Sequence, residues 1–474
     1  MAGIVSYGAY VPMWRIDRSK LSEITGIPSL GGERSVTSWD EDSISMAVEA
    51  GLDCLGEIDP KEIDGLYFAT VSSPLKEKQA SSIIASALDL RENVFTGDIT
   101  TSTKAGVTAV KIAIDAVNSG NASKVLVIAS ESRLAEPKSF FEQIYGDGAT
   151  ALLIGKDNIV AEIEGFNSIN NAIPGVWRRE TDVYPKVYEP KLDNLYGFLK
   201  DVPETVSGLL KKCNIEAKDI SKIALYAPDP RAYMRFGKAL NIDLMTQLEN
   251  PLFEKIGMTG TPHCLLLLAL ALEKAKPDQR IVCIGYGDGC DAFLVKTTDK
   301  ILSIKGKSKI NAYISSKRML PTYGRFADFK DLWKIERSEN ARASVVKYWR
   351  DRKGALPLYG MRCKKCNTLQ YPIKRCCIIC SEKDNFEEVK LSRNGKVFSY
   401  THDYLLGYGI IASNGLNPAT RVIVDLDDGC RLFMEMSDHE LDEVDVGMDI
   451  NLTFRLFHQK SGFPFYYWRV RPAR

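Results

Sequence analysis

Apolar residues recur at helical spacing from Thr103 to Gly120, with Val107, Val110, Ile114 and Val117 on one face, and the segment closes on Ser119-Gly120. A continuous apolar run, Val125 to Ala129, follows and predicts a buried strand. Next come the turn Tyr145-Gly146-Asp147-Gly148 and a second buried run, Ala149 to Ile154. The same order returns later in the chain. An apolar helix from Cys264 to Ala275 leads to a strand, Ile281 to Gly285, then Tyr286-Gly287-Asp288-Gly289 and the run Ala292 to Val295. The same four turn residues at the same place in the same order predict a duplicated α/β half. Strands alternating with helices imply sheets covered by helices on their faces.

After Phe329 the pattern changes. A helix is predicted from about Ser338 to Arg350, with Glu339 and Asn340 in its first turn and Val345, Tyr348 and Trp349 on one side. From Gly395 onward the period shortens to that of strands: Lys396 to Thr401, Arg421 to Leu426, Arg431 to Met436, Asp449 to Leu456 and Phe465 to Val470. Asp427-Asp428-Gly429 forms a hairpin turn. Five short strands predict a small barrel of the OB type. Tyr466, Tyr467 and Trp468 offer themselves as stacking residues, but neighbours on a strand alternate faces, so at least one belongs to the core.

Between the helix and the barrel stand Cys363-Lys-Lys-Cys366 and Cys377-Ile-Ile-Cys380, two C-x-x-C knuckles ten residues apart. Each puts two thiolates on one tight turn, and two turns supply the closed tetrahedral sulfur set that zinc prefers. A structural zinc with no open position for substrate is expected on Cys363, Cys366, Cys377 and Cys380, with Cys376 a bystander.

The 474 residues call for several domains. A net charge of +1, 45% hydrophobic and 26% charged residues are ordinary globular values and give no sign of nucleic acid. The longest uncharged apolar stretch, Cys264 to Leu272, is far too short to span a bilayer, and the N-terminus lacks the order of a signal peptide. With cysteines at metal spacing, a cytoplasmic location is expected. Residues 386–474 carry ten Lys/Arg against thirteen Asp/Glu, which argues against a single-stranded nucleic-acid groove. Residues 305–365 differ, with seventeen Lys/Arg against five Asp/Glu. They read as a solvated connector or as a surface for the phosphates of coenzyme A or for an acidic partner, with Lys317 and Arg318 in its middle.

Gly3 to Pro12, Asp40-Glu-Asp-Ser43, Lys104-Ala-Gly106, both Gly-Asp-Gly turns and Tyr313 to Phe326 resemble the archaeal-type hydroxymethylglutaryl-CoA synthases over residues 1–330. The resemblance implies a duplicated thiolase-like fold, with halves 1–165 and 166–330, and the usual homodimer of that fold. It also implies where chemistry should sit. The nucleophilic cysteine falls on Thr103, the histidine of a His-x-Pro-Asn stretch on Tyr226, the general-acid glutamate on Val71 and the acyl-binding asparagine on Met258. A hydroxyl is a far weaker nucleophile than a thiolate near neutral pH. Cys264, beside His263, and Cys290 are alternative nucleophiles, but a lone cysteine opening an apolar helix is most often core.

Arg362-Cys363, Tyr371-Pro372 and the second knuckle resemble a family of small zinc-ribbon and OB proteins that partner thiolases. A linker and helix over 331–352, a rubredoxin-like ribbon over 353–385 and an OB-fold over 386–474 are implied. The combined expectation is a non-catalytic or weakly catalytic synthase-like subunit that supports a separate thiolase acting on a β-oxoacyl-CoA, with coenzyme A or acyl-CoA as ligand. The alternatives are a self-sufficient acyltransferase with a non-standard nucleophile and an OB nucleic-acid module.

Overall fold

A computed structural model describes residues 2–239, 242–243, 245–333, 344–404, 418–458 and 463–474. Its centre is a nine-stranded sheet. In order across the sheet the strands are Phe95–Ile99, Gly65–Ala69, Lys124–Glu131, Gly148–Gly155, Gly3–Tyr10, Ala161–Asn170, Gly289–Thr297, Arg280–Tyr286 and Lys222–Leu225. The order mirrors itself about the seam between Gly3–Tyr10 and Ala161–Asn170. That seam is short, pairing Gly3 with Glu162 and Ile4 with Ala161. On the first side Phe95–Ile99 pairs parallel to Gly65–Ala69, and on the second Leu248 bridges parallel to Ile223 in the equivalent place. The repeat in the sequence is therefore a repeat in space.

The helices Ala105–Asn118 and His263–Lys274 occupy corresponding places in the two halves. Residues 264–272 of the second are buried on every side, which is why its sequence shows no polar face. At the first helix, Gly106 lets the backbone approach closely, since a Cβ there would lie 2.8 Å from the carbonyl of Thr261. Both Gly-Asp-Gly turns need glycine for the same reason. A Cβ on Gly146 would lie 1.8 Å from the carbonyl oxygen of Ile256, and one on Gly287 would lie 2.5 Å from Oγ1 of Thr103. Asp147 is buried and accepts from the Thr37 amide at 2.8 Å and from the Lys330 ammonium at 2.7 Å.

The C-terminal strands Asn394–Asp403, Ala419–Leu426, Arg431–Glu435, Asp449–His458 and Phe465–Pro472 form a five-stranded antiparallel sheet. Arg431–Glu435 and Phe465–Pro472 are its edges, and the parallel bridge Met436–Val470 nearly closes it into a barrel. Tyr466 and Trp468 are core residues. Of the predicted helix before it, residues 338–343, with Glu339 and Asn340, lie outside the described residues, and the helix observed is Val345–Arg350. Its apolar residues do not share one buried side. Tyr348 alone turns inward, packing edge-on against Phe465 at 4.9 Å, while Val345 and Trp349 are exposed. A helix of six residues has too few positions to bury a full stripe.

The barrel is not a tethered appendage. Asp40, Glu41 and Glu49, just before and within the helix Ser43–Leu55, meet the basic side chains of two barrel strands in the protein interior. Arg455 pairs with both Glu41 and Asp438, and Arg469 approaches Asp40 at 3.5 Å. Arg471 pairs with Glu49 at 3.1 Å. The Tyr466 hydroxyl donates to Asp42 at 2.5 Å, Ser437 to Asp40 at 2.5 Å and the Trp14 indole to Asp438 at 3.1 Å. Arg318, expected at a free basic surface, instead donates to Glu443 of the barrel at 2.6 Å, and Lys317 pairs with Glu33 at 2.7 Å. No helix among the described residues is long and apolar enough to cross a membrane.

Candidate functional site

Thr103 stands just before the helix Ala105–Asn118, where a helix dipole would favour an anion. Its hydroxyl donates to the carbonyl of Tyr286 at 2.7 Å. The proton that a nucleophile must lose is thus held by a carbonyl, which cannot take it. No histidine or carboxylate hydrogen-bonds that hydroxyl among the described residues. Lys104, next in the chain, pairs with Asp291 at 3.3 Å, and Thr108 donates to the same carboxylate at 2.8 Å.

Tyr226 follows the strand Lys222–Leu225 and is tied to the neighbouring strand through its amide, which donates to Ile284 at 3.0 Å. Its ring is buried edge-on to His263, with centroids 5.9 Å apart. Burial raises its phenol pKa, against the pull of the hydrogen-bonded Arg133. A phenol held in its neutral form is a poor base. Met258 is also buried and backbone-paired, its amide donating to Ile144 at 2.8 Å.

Val71 supplies only its backbone. Its amide donates at 2.7 Å to Glu131, a carboxylate that the sequence reading missed. Ser72 donates to the same carboxylate at 2.6 Å, and Thr261 donates to it as well. Glu131 is fully buried, which raises its pKa. Two residues on, the Arg133 guanidinium lies 3.9 Å over the Tyr145 ring and donates to its hydroxyl at 2.9 Å. Glu131, Arg133, Tyr145, Tyr226 and His263 place a group of polar side chains in the interior, within which Arg133 bonds to Tyr145 and the Tyr226 ring stands against His263. A charged Glu-x-Arg ending an apolar strand was the available signal.

His263 accepts from the Thr259 amide at 3.2 Å through Nδ1, while its buried Nε2 has no partner. Burial lowers its pKa to about 3, and that of the mostly buried His439 to about 4. Both imidazoles are therefore neutral in the fold at pH values where an unfolded histidine, near 6.5, takes a proton. Stability rises with pH wherever the unfolded chain binds more protons. The share of each histidine is complete above about pH 6.5 and falls away below it, by roughly 2 kcal/mol per residue at pH 5. His263→Asn should flatten the slope of unfolding free energy against pH between 5 and 6.5 in urea titrations; an unchanged slope would refute this.

Cys264 and Cys290 are buried, and the free thiols of Cys264 and Cys283 are hydrogen-bonded in the core. Burial pushes the Cys290 thiol up. That environment does not favour a thiolate at Cys290.

The second site is the cysteine cluster between the helix Val345–Arg350 and the barrel strands. The four Sγ atoms of Cys363, Cys366, Cys377 and Cys380 lie within 4.8 Å of one another. Cys363 and Cys380 are 3.6 Å apart at sulfur, and Cys366 and Cys377 3.5 Å. Zinc–sulfur bonds of about 2.3 Å in a tetrahedron separate sulfurs by about 3.8 Å, so the spacing fits a bound ion. The Ile379 amide donates to Cys377 Sγ at 3.4 Å. Cys376 is exposed and stands outside the set.

A mirrored pair of α/β halves with helix N-termini directed to a common centre defines the condensing-enzyme scaffold of the thiolase superfamily. Consistent with this, residues 97–171 match the family of 3-oxoacyl-(acyl-carrier-protein) synthase III. The hydroxymethylglutaryl-CoA synthase of Methanocaldococcus jannaschii is 30% identical over 341 residues, covering 70% of this chain and 99% of that protein. The hydroxymethylglutaryl-CoA synthase of Pyrobaculum calidifontis is 31% identical over 310 residues, covering 63% and 88%. The chain belongs to the hydroxymethylglutaryl-CoA synthase family. Among solved structures, an HMG-CoA synthase complexed with CoA shares the fold at a TM-score of 0.65 and 17% identity, over 72% of this chain and 93% of that one. The 3-oxoacyl-(acyl-carrier-protein) synthase III of Aquifex aeolicus does so at 0.56 and 20%, over 62% and 100%.

Proposed function

We propose that this chain is a non-catalytic or weakly catalytic member of its family that binds and supports a separate thiolase acting on a β-oxoacyl-CoA. The single observation carrying the reading is the Thr103 hydroxyl, which donates to the Tyr286 carbonyl where the family's chemistry calls for a thiolate beside a base. Tyr226 and Met258, both buried, leave no general base or amide donor at the remaining positions. In this reading the partner supplies the nucleophile. The synthase-like part contributes a CoA or acyl-CoA scaffold and a dimer face, and the C-terminal part, read as a zinc ribbon and an OB barrel, bridges to the thiolase. The four cysteines hold zinc in a closed set and give the ribbon its fold.

The second reading, a self-sufficient acyl-CoA condensing enzyme, is favoured by the relatives, which are synthases. One assay separates the two. β-Oxoacyl-CoA cleavage with free CoA should be absent with this chain alone and appear with the copurified thiolase pair, at least tenfold above the thiolase by itself. Turnover by this chain, with an acyl adduct in its intact mass, would overturn the reading in favour of the second.

A further inference from the structure

A cavity of about 170 Å³ opens where the first domain meets the barrel, lined by Lys307, Lys309, Arg393, Arg471, Glu49 and Asp53 among others. It falls at the start of the basic stretch, ahead of Lys317 and Arg318, which are paired. The two carboxylates are already spent. Asp53 accepts from the Ala9 amide, the Ser308 hydroxyl and the Lys309 amide, each at 2.9 Å. Glu49 accepts from the Phe454 amide at 3.0 Å, from Thr453 at 3.2 Å and from Arg471 at 3.1 Å.

Of the described cations only Arg471 is partnered, by Glu49. Among the described residues the side chains of Lys307, Lys309 and Arg393 make no hydrogen bond or ion pair, and Nε of the buried Arg471 has no partner. Burial lowers the pKa of Lys309, and the charges of Arg471 and Arg393 lower it further, so the groups repel across the cavity. A convergence of like charges that one carboxylate offsets only in part, with Arg471 buried and Lys307 and Lys309 exposed at the mouth, is stabilised by an anion that each can hydrogen-bond. Lysine supplies point charges and arginine a planar fork, a pairing suited to tetrahedral oxyanions. The cavity is below the roughly 300–1,000 Å³ of pockets that enclose a whole drug-sized ligand, so it holds a single phosphate-sized group.

We propose that this cleft binds a phosphate dianion, free or as the terminal phosphate of a larger molecule, between Lys307 and Lys309 of the first domain and Arg393 and Arg471 of the C-terminal part. The anion would cross-link the two parts of the chain. The full chain is titrated calorimetrically with inorganic phosphate, against chloride at matched ionic strength, for wild type, Arg393→Gln, Lys309→Gln and the exposed control Lys156→Gln. Saturable binding to wild type and the control, weakened at least tenfold in the two cavity variants, is expected. The same titrations with CoA and 3′-dephospho-CoA identify the source. A loss in Arg393→Gln confined to CoA points to its 3′-phosphate, and no change for either points to the free ion. Phosphate heats no different from chloride, or equal affinity in all four proteins, would overturn the proposal.

Discussion

Arg455→Met should cost about 3–5 kcal/mol of stability, because it leaves Glu41 and Asp438 facing each other in the interior without their shared counter-charge. Arg455 is 1% exposed, so water cannot replace it. The asymmetry of buried pairs makes the prediction sharp: removing one partner is far more damaging than replacing the group as a whole. Introducing Glu41→Gln and Asp438→Asn together with Arg455→Met should recover most of the loss. Urea unfolding of the three proteins measures both values. A loss under about 1 kcal/mol in the single variant would mean that the network is hydrated and does not weld the barrel to the first domain.

Removing the zinc proposed for the cysteine cluster should have the larger effect, confined at first to the segment that carries the four cysteines. A structural zinc contributes on the order of 10 kcal/mol to a module that cannot otherwise bury a core. The strands Tyr359–Cys363, Leu369–Gln370 and Phe386–Lys390 are held by few pairs beyond the knuckles. Chelation, or Cys363→Ser, should therefore abolish amide protection across residues 353–385 in hydrogen exchange. The nine-stranded sheet, with its own core, should keep its protection. In the proposed assembly the stripped protein should also lose its thiolase. Full protection of that segment after the metal content has fallen to zero would contradict a structural role for the ion.

Much of the fold was legible because its signals are local. The helix Ala105–Asn118 and the strand Lys124–Glu131 are set by apolar spacing, and the two Gly-Asp-Gly turns by close backbone approach. All five barrel strands fall within a few residues of their predicted places, since alternation needs only neighbours along the chain. The cysteine spacing likewise carries its geometry with it. The positions Thr103, Tyr226, Met258 and Val71 could be named by resemblance, and the Glu131-x-Arg133 strand end was a local signal, but nothing in the sequence showed that Glu131 would take the Val71 amide or that Arg133 and His263 would meet Tyr226. Those residues come from separate strands and helices, and only the crossing of the chain brings them together.

The sequence by itself determined the duplicated half, the barrel strands and the metal-spaced thiols, because each depends on periodicity or on a single turn. Tertiary structure decided the rest. Period-two alternation puts Ile450, Leu452 and Phe454 in the barrel core and assigns Thr453 and Arg455, like Arg469 and Arg471, to water. They are buried instead, because the outer face of those strands lies against Asp40, Glu41 and Glu49 of the first domain. Burial of a charge is decided by whether an opposite charge arrives from elsewhere in the chain, and no local pattern records that arrival.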